Sequence, residues 1–413
     1  MSKELTKDVV VIGGGPGGAT TAALVAEGGP EVMLLERSKE PAFKVGESLM
    51  PGTYWTFKRL GILDKLKETA FPRKYSVQFY GASGRGSAPF YFNEMNDHES
   101  AVTWQVLRSE FDAMLQDNAA EKGAEVVRGA HVVEVLFEGE RATGVRVKMP
   151  DGEIQTIRCG VVVDASGQSA VIARHLKIAN DEPNLKKASV FTHFENGHRD
   201  EGIDEGATLI LQTSDKNGWF WYIPLPNNRV SVGAVGDIDY LFADRSLDTQ
   251  QIFDRELEKC APMQERLTEA TKVMPMQVTK EFSYRAKQAA GDGWVLVGDA
   301  YGFLDPVYSS GVFLALKSGE MAADAILDAY KADDLSGERL GSFQEEFLGG
   351  MESIRKLVYA FYDKDFSFGK FLMENPDCSQ GIVDILSGDV YTKDVTPIFE
   401  PMGKMAKLPR ESY

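Results

Sequence analysis

The run Gly13-Gly14-Gly15-Pro16-Gly17-Gly18 constrains this 413-residue chain more than any other stretch. Gly13, Gly15 and Gly18 fall in a GxGxxG pattern. In that pattern the first glycine permits a tight turn, the second lets backbone approach a pyrophosphate, and the third lets a helix pack on a strand. Apolar Val9, Val10, Val11 and Ile12 precede the run as a strand, and a helix is expected over 19–27. A second strand follows over 31–35, and Glu36 ends it. That is near the spacing of roughly 20 residues at which an acid accepts from ribose hydroxyls. Phosphate charge would sit on the helix N-terminus, where unpaired N–H groups and the helix dipole meet. A lone GxGxxG is a weak signal. Strand, turn, helix and acid together read as a dinucleotide-binding βαβ unit.

The glycine turn does not separate NAD from FAD. Gly298-Asp299-Ala300, directly after the apolar strand 294–297, resembles the flavin-ribityl motif of FAD enzymes, whose aspartate accepts from a ribityl hydroxyl. Gly-Asp is also an ordinary strand-end turn, but its place after a strand returning to the first domain favours flavin. Arg108, in Val106-Leu107-Arg108-Ser109, matches a third part of that pattern. A surface arginine at a helix start is poorly placed against the dipole, which favours a role near the cofactor. No second glycine fingerprint is present, so FADH2 is expected from a separate flavin reductase.

A helix is expected over 110–122 with Ser109 as N-cap, and strands over 126–137, 142–148 and 161–164. Residues 188–194, 207–213, 220–224 and 229–235 alternate in the β manner between Asp- and Asn-rich turns. A helix follows over about 311–331, and from 340 the chain reads as helical and irregular. The fold class is mixed α/β. A Rossmann-like FAD-binding domain is expected over 1–187, interleaved with sheet segments. An inserted antiparallel β-sheet substrate domain follows over 188–290. The FAD-binding domain returns over 291–340, and a helical C-terminal region covers 341–413.

Hydrophobic residues make up 43% of the chain, enough for a substantial core. A net charge of −17 argues against nucleic acid or an anionic membrane as partner. Cys159, Cys260 and Cys378 are isolated, as in a reducing compartment without disulfides or zinc. The early first strand leaves no room for a signal peptide, and no apolar run reaches spanning length. A cytoplasmic location is expected. The five histidines are scattered without metal spacing, and no metal site is expected.

Three further segments carry a closer resemblance: Gly46-Glu47-Ser48-Leu49-Met50-Pro51, Trp219-Phe220-Trp221-Tyr222-Ile223-Pro224, and Asp305-Pro306-Val307-Tyr308-Ser309-Ser310-Gly311-Val312. In this order and spacing, over residues 8–375, the chain resembles the phenol- and pyrrole-type branch of the flavin-dependent halogenases. These belong to the FAD-dependent monooxygenase-like superfamily. The resemblance implies an enzyme that uses FADH2, O2 and a halide ion. It forms hypohalous acid and halogenates an electron-rich aromatic ring, free or on a carrier protein. It implies Glu47, Ser48 and Gly311 beside the flavin, and Ser310 and Gly311 at the halide. It implies Lys74 as the residue that orients hypohalous acid or carries it as a haloamine, and Trp219 and Trp221 as a partition between flavin and substrate.

The residues themselves leave plainer roles open. The Ser309-Ser310-Gly311 turn opens a helix whose N–H groups can hold an anion or merely cap. Lys74 lies on the face opposite Tyr75, Val77 and Phe79. Most lysines are simply solvated, but an apolar wall would keep this amine partly neutral. Trp219 and Trp221 share a strand face with Ile223, as core aromatics or as a partition. Tyr308 stands where members acting on tryptophan carry glutamate. The aromatic-rich stretch 359–371 reads as helix packing. An aromatic hydroxylase or prenyl-chain reductase would share Gly13, Gly15, Gly18, Glu36 and Asp299 but not Lys74 or the tryptophan pair. A flavoprotein without turnover is the remaining alternative.

Overall fold

The computed structural model describes residues 4–40, 43–94, 96–280 and 283–409, and absences stated below refer to these. The chain opens with β1 (Glu4–Ile12), α1 (Pro16–Glu27) and β2 (Val32–Glu36). β1 lies mid-sheet, parallel to β2 on one side and to the strand Ile154–Asp164 on the other. Val9 faces Val161 and Val32 across these ladders, and Val9, Val10 and Val11 are fully buried. A strand covered on both faces needs apolar side chains throughout, which explains the unbroken valine run. Glu125–Arg128 extends the sheet parallel to β2, and Trp294–Leu296 extends it parallel to Ile154–Asp164. The Gly13 turn, residues 165–167 and the Gly298–Ala300 turn thus gather at one edge. In open parallel sheets, ligands bind in the crevice outside these carboxyl ends.

The second sheet runs antiparallel through Lys187–Glu195, Arg229–Asp237, Gly218–Leu225 and Thr208–Gln212. Period-2 alternation divides Gly218–Leu225 between two cores. Trp219, Trp221 and Ile223 join the main core. Phe220 and Tyr222 join a smaller one with Ile252 and Phe253 of the helix Thr249–Leu257. The sheet is not purely antiparallel, because Ser76–Tyr80 pairs parallel with Thr208–Gln212, with Phe90–Tyr91 beyond it at the edge.

Three local expectations change. The strand expected over 126–137 is two, Glu125–Arg128 and His131–Glu138, parted at Gly129, whose φ is +81°. Helix α2 (Arg108–Glu121) begins one residue earlier than Ser109, with Leu107 at its N-cap. The strand near Lys74 breaks at Tyr75, so Arg73–Lys74 pairs separately with Thr103–Trp104.

Helix α3 (Ser310–Lys331) crosses α1 where both helices carry glycine. A Cβ on Gly319 would stand 2.6 Å from the Gly17 carbonyl oxygen. Thr21 Oγ1, 3.1 Å from the Gly319 carbonyl oxygen, ties the crossing. Both helices begin at the crevice, so this crossing sets the distance between the Gly13 turn and the Ser309 turn. Helix α4 (Gln344–Tyr362) packs Phe347, Ile354 and Leu357 into the same core. No helix among the described residues is long and apolar enough to cross a membrane.

Two glycine replacements should therefore act with opposite signs in urea unfolding. Gly319→Ala should destabilise by about 1–3 kcal/mol, because the added methyl overpacks the crossing. Gly349→Ala in α4 meets no atom within 4 Å and should stabilise, by roughly 0.5–1 kcal/mol.

Candidate active site

A cavity of about 570 Å³ lies between the carboxyl edge of the first sheet and one face of the second. At its dinucleotide end the three glycines act for different reasons. Gly13 has φ +100°, and Gly18 lies against the Gly13 carbonyl with no space for a side chain. Gly15 lines the cavity, and a Cβ there would meet no protein atom within 4 Å. It would instead project into the cavity, where a phosphate group would lie. Glu36 accepts from Gly14 N and Ser38 N, both at 2.8 Å. Burial pushes its carboxyl up, but the two amides prevail and hold it below the usual range. A fixed, charged acceptor results.

Asp299 and Arg108 line the other end, with Glu47 and Ser48. Burial raises Asp299 to about 6, against the opposing pull of Arg108 and Lys44. Arg108 is clamped by Asp112 one helical turn on, Nε to Oδ1 at 2.8 Å, and it donates to the Val45 carbonyl at 2.6 Å. The Glu47 carboxylate lies 2.8 Å from His193 Nε2, both groups buried. His193 escaped the sequence reading. It shares a strand face with Ser189 and Phe191, which line the cavity.

Lys74 is 3% exposed and does not line this cavity. Its Nζ donates to Ser48 Oγ and to the Leu49 carbonyl, each at 2.9 Å, and sits 5.6 Å from the Phe92 ring centre. Burial lowers its pKa to about 7, so much of the amine is neutral at neutral pH.

Trp221 and Ile223 line the cavity, while Trp219, beside Trp221 on the same strand face, does not. The two indoles lie 6.3 Å apart, tilted 57°. Trp221 Nε1 donates to Ser231 Oγ at 3.1 Å, and a Cβ at Gly233 would run into its ring. Trp219 Nε1 donates to Tyr362 OH at 3.0 Å, and Tyr362 OH donates to the buried Asp305 carboxyl. Tyr308 packs between Phe79 and Phe361 and donates to the Leu357 carbonyl at 3.1 Å. The aromatic end of α4 thus packs, as expected, and it does so directly behind the tryptophan pair.

At the start of α3, Ser309 and Gly311 line the cavity, but the Ser310 side chain is buried away from it. Ser309 is left-handed with φ +59°, and no side chain caps the helix, so its first-turn N–H groups have no side-chain acceptor. The cavity therefore joins a phosphate cradle, a charged acceptor at each end and an uncapped helix start.

These residues fit FAD, and relatives agree. A family model described as FAD binding domain matches residues 6–342. A pyrrole-2-carbonyl-[peptidyl-carrier protein] brominase of Pseudoalteromonas luteoviolacea is 31% identical over 391 residues, covering 94% of this chain and 93% of its own. The chain belongs to the flavin-dependent halogenases. A pyrrole-2-carbonyl-[peptidyl-carrier protein] chlorinase of Pseudomonas fluorescens is 28% identical over 96% of this chain and 92% of its own. Among solved structures, the myxobacterial chondrochloren halogenase CndH is 31% identical with a TM-score of 0.82, covering 97% of this chain and 96% of its own. The flavin-dependent brominase Bmp2 is 28% identical with a TM-score of 0.86, covering 97% and 98%.

This halogenase is an oxidoreductase that binds FAD and halogenates an electron-rich aromatic ring. Reduced FAD, when bound, supplies the oxygen-activating chemistry that turns halide into hypohalous acid. The chain's own residues bind, orient and shield.

Asp299 gives a pH test. As a carboxylate it accepts with a full negative charge, and protonated it is a weaker, neutral acceptor. FAD affinity, read by flavin fluorescence quenching, should fall as pH drops through about 6. Asp299→Asn should bind FAD weakly at every pH and show no such step.

Proposed function

We propose that this halogenase acts on a pyrrole-2-carbonyl group held on a carrier protein, with reduced flavin delivered by a separate reductase. The observation that carries the substrate is the match of two halogenases of carrier-bound pyrrole across more than nine-tenths of both chains. Tyr308 supports it, because an aromatic packed by Phe79 and Phe361 puts no carboxylate beside the ring. A pyrrole is already activated and has less need of one.

Lys74 is the catalytic residue in this reading. Its amine is buried, partly neutral and separated from the flavin cavity by Ser48. A neutral amine can orient hypohalous acid or accept its halogen as a haloamine. Gly13, Gly15, Gly18, Glu36, Glu47, Ser48, Arg108, Asp299 and Gly311 hold FAD. The N–H groups at Ser310 and Gly311 hold halide, and Trp221 with Trp219 beside it separates flavin from ring. Residues 188–290 serve as the substrate domain, closed by 341–413.

Lys74→Ala should keep FAD binding and lose ring halogenation by about 10²–10⁴-fold. Lys74→Arg should not rescue it, since guanidinium stays charged. In the wild type, halogenation should decline as pH falls below about 7, because the amine then takes a proton. Product mass from carrier-bound pyrrole, free pyrrole and phenols, each with FAD, halide and with or without a reductase, checks the substrate. Turnover confined to free phenols, or NADPH-driven turnover without a reductase, would contradict the proposal. A hydroxylated product would point to the monooxygenase alternative.

A further inference from the structure

Lys74 is reached from the flavin cavity only through other side chains. Ser48 and Thr208 line the cavity, and Lys74 does not. Lys74 Nζ donates to Ser48 Oγ at 2.9 Å, and Ser48 Oγ lies 2.8 Å from Thr208 Oγ1. Gln105 Nε2 donates to Thr208 Oγ1 at 2.8 Å and to the Gly206 carbonyl at 2.9 Å. All four side chains are buried. The Gly206 carbonyl fixes the amide, because only the Nε2 end can donate to it.

Counting protons gives the consequence. Each hydroxyl carries one proton and two acceptor sites. Lys74 donates in at one end and Gln105 at the other. One hydroxyl proton bridges Ser48 and Thr208, and either oxygen can be its donor. If Ser48 donates, the Thr208 proton has no acceptor among the described residues. If Thr208 donates, the Ser48 proton has none while Lys74 is protonated. With Lys74 protonated, both arrangements leave one uncommitted O–H in the cavity wall. A protonated Lys74 must donate to Ser48, whereas a neutral one can accept from it, so the chain can run in either direction.

Taking Lys74 as the catalytic amine, we propose that Ser48 and Thr208 form a two-hydroxyl relay. It holds the oxygen of hypohalous acid at the cavity wall and passes protons between that oxygen and Lys74. Toward the oxygen, a Lys74 proton moves to Ser48 Oγ, the Ser48 proton to Thr208 Oγ1, and the Thr208 proton to the hypohalous oxygen, which leaves as water as the amine takes the halogen: the O–halogen and N–H bonds break, and the N–halogen and O–H bonds form. Each hydroxyl keeps one proton and only its direction changes, so no oxidant or reductant is consumed. Thr208 lines the cavity and touches the hypohalous oxygen directly, so in this relay it is a catalytic residue. Its loss should let hypohalous acid escape before Lys74 receives it.

The test is the partition of oxidised halogen. Holoenzyme, FAD, reductase and bromide are mixed with the best-turned-over ring from the phenol and pyrrole panel. A 1,3-diketone in solution traps free hypobromous acid. The ratio of brominated ring to brominated trap is read by mass, and weaker FAD binding alone scales both products equally. Thr208→Val should lower the ratio about 10- to 100-fold, the rate equivalent of one hydrogen bond to a charged group. Thr208→Ser should restore it to within about twofold, since it keeps the hydroxyl. If the valine variant does not fold, Thr208→Ala against Thr208→Ser gives the same comparison. An unchanged ratio in the valine or alanine variant, or a serine variant as poor as either, overturns the relay. Lys74→Ala separates the two ideas. If it abolishes ring product while the Thr208 ratio is unchanged, the relay fails and the lysine role stands. Near-normal ring product from Lys74→Ala removes both.

Discussion

Residues 45–49 are held from both sides, and the arrangement of the site depends on that. Arg108 Nη1 donates to the Val45 carbonyl, and the Glu47 carbonyl accepts from Val106 N. The Glu47 carboxylate meets His193 on the second sheet, and Ser48 Oγ meets Thr208 on the same sheet. Leu49 N donates to the Trp104 carbonyl, and the Leu49 carbonyl accepts from Lys74. The stretch forms the wall between the flavin cavity and the lysine, and its bonds to the second sheet and to the segment 104–108 fix how far apart these stand. Loss of any one bond would leave a buried donor or acceptor unpaired, which costs more than the bond's own net worth.

The second sheet supplies the other wall. Alternation along Gly218–Leu225 sends Phe220 and Tyr222 to the small core and leaves the indole of Trp221 facing the cavity. Trp219 is anchored to α4 through Tyr362, and Tyr362 to the Asp305 carboxyl that begins the turn into α3. Sheet, C-terminal helix and the helix start beside the cavity are therefore coupled through one short hydrogen-bonded chain. Burial raises Asp305 to about 7, so a shared proton with the Tyr362 hydroxyl suits this dry position.

Much of this was legible from the sequence where the controlling physics is local. The Gly13 to Gly18 turn, the valine run of β1 and the shared face of Trp219 and Trp221 follow from backbone geometry and strand period. Ser309 and Ser310 were harder, since a one-residue shift in a helix start decides which side chain meets the cavity. The break at Gly129 escaped because apolar pattern outweighed a single turn residue, and the earlier start of α2 escaped because Ser109 is by residue type a better N-cap than Leu107. Lys74 was found only through family resemblance. Its partners Ser48 and Leu49 lie 26 and 25 positions away, and composition around Lys74 says nothing of them. His193 and Thr208 were missed for the same reason: each gains its meaning from a contact with the segment 45–49, which lies 146 and 160 positions away in sequence.

The central claim is that burial, with only a hydroxyl and a carbonyl for company, keeps the Lys74 amine near neutrality. Heteronuclear NMR titration of the lysine side chains, with Lys74→Arg used for assignment, measures this directly. The account predicts one lysine titrating at about 7, lost in that variant. A Lys74 amine titrating near the ordinary 10.5 would contradict it.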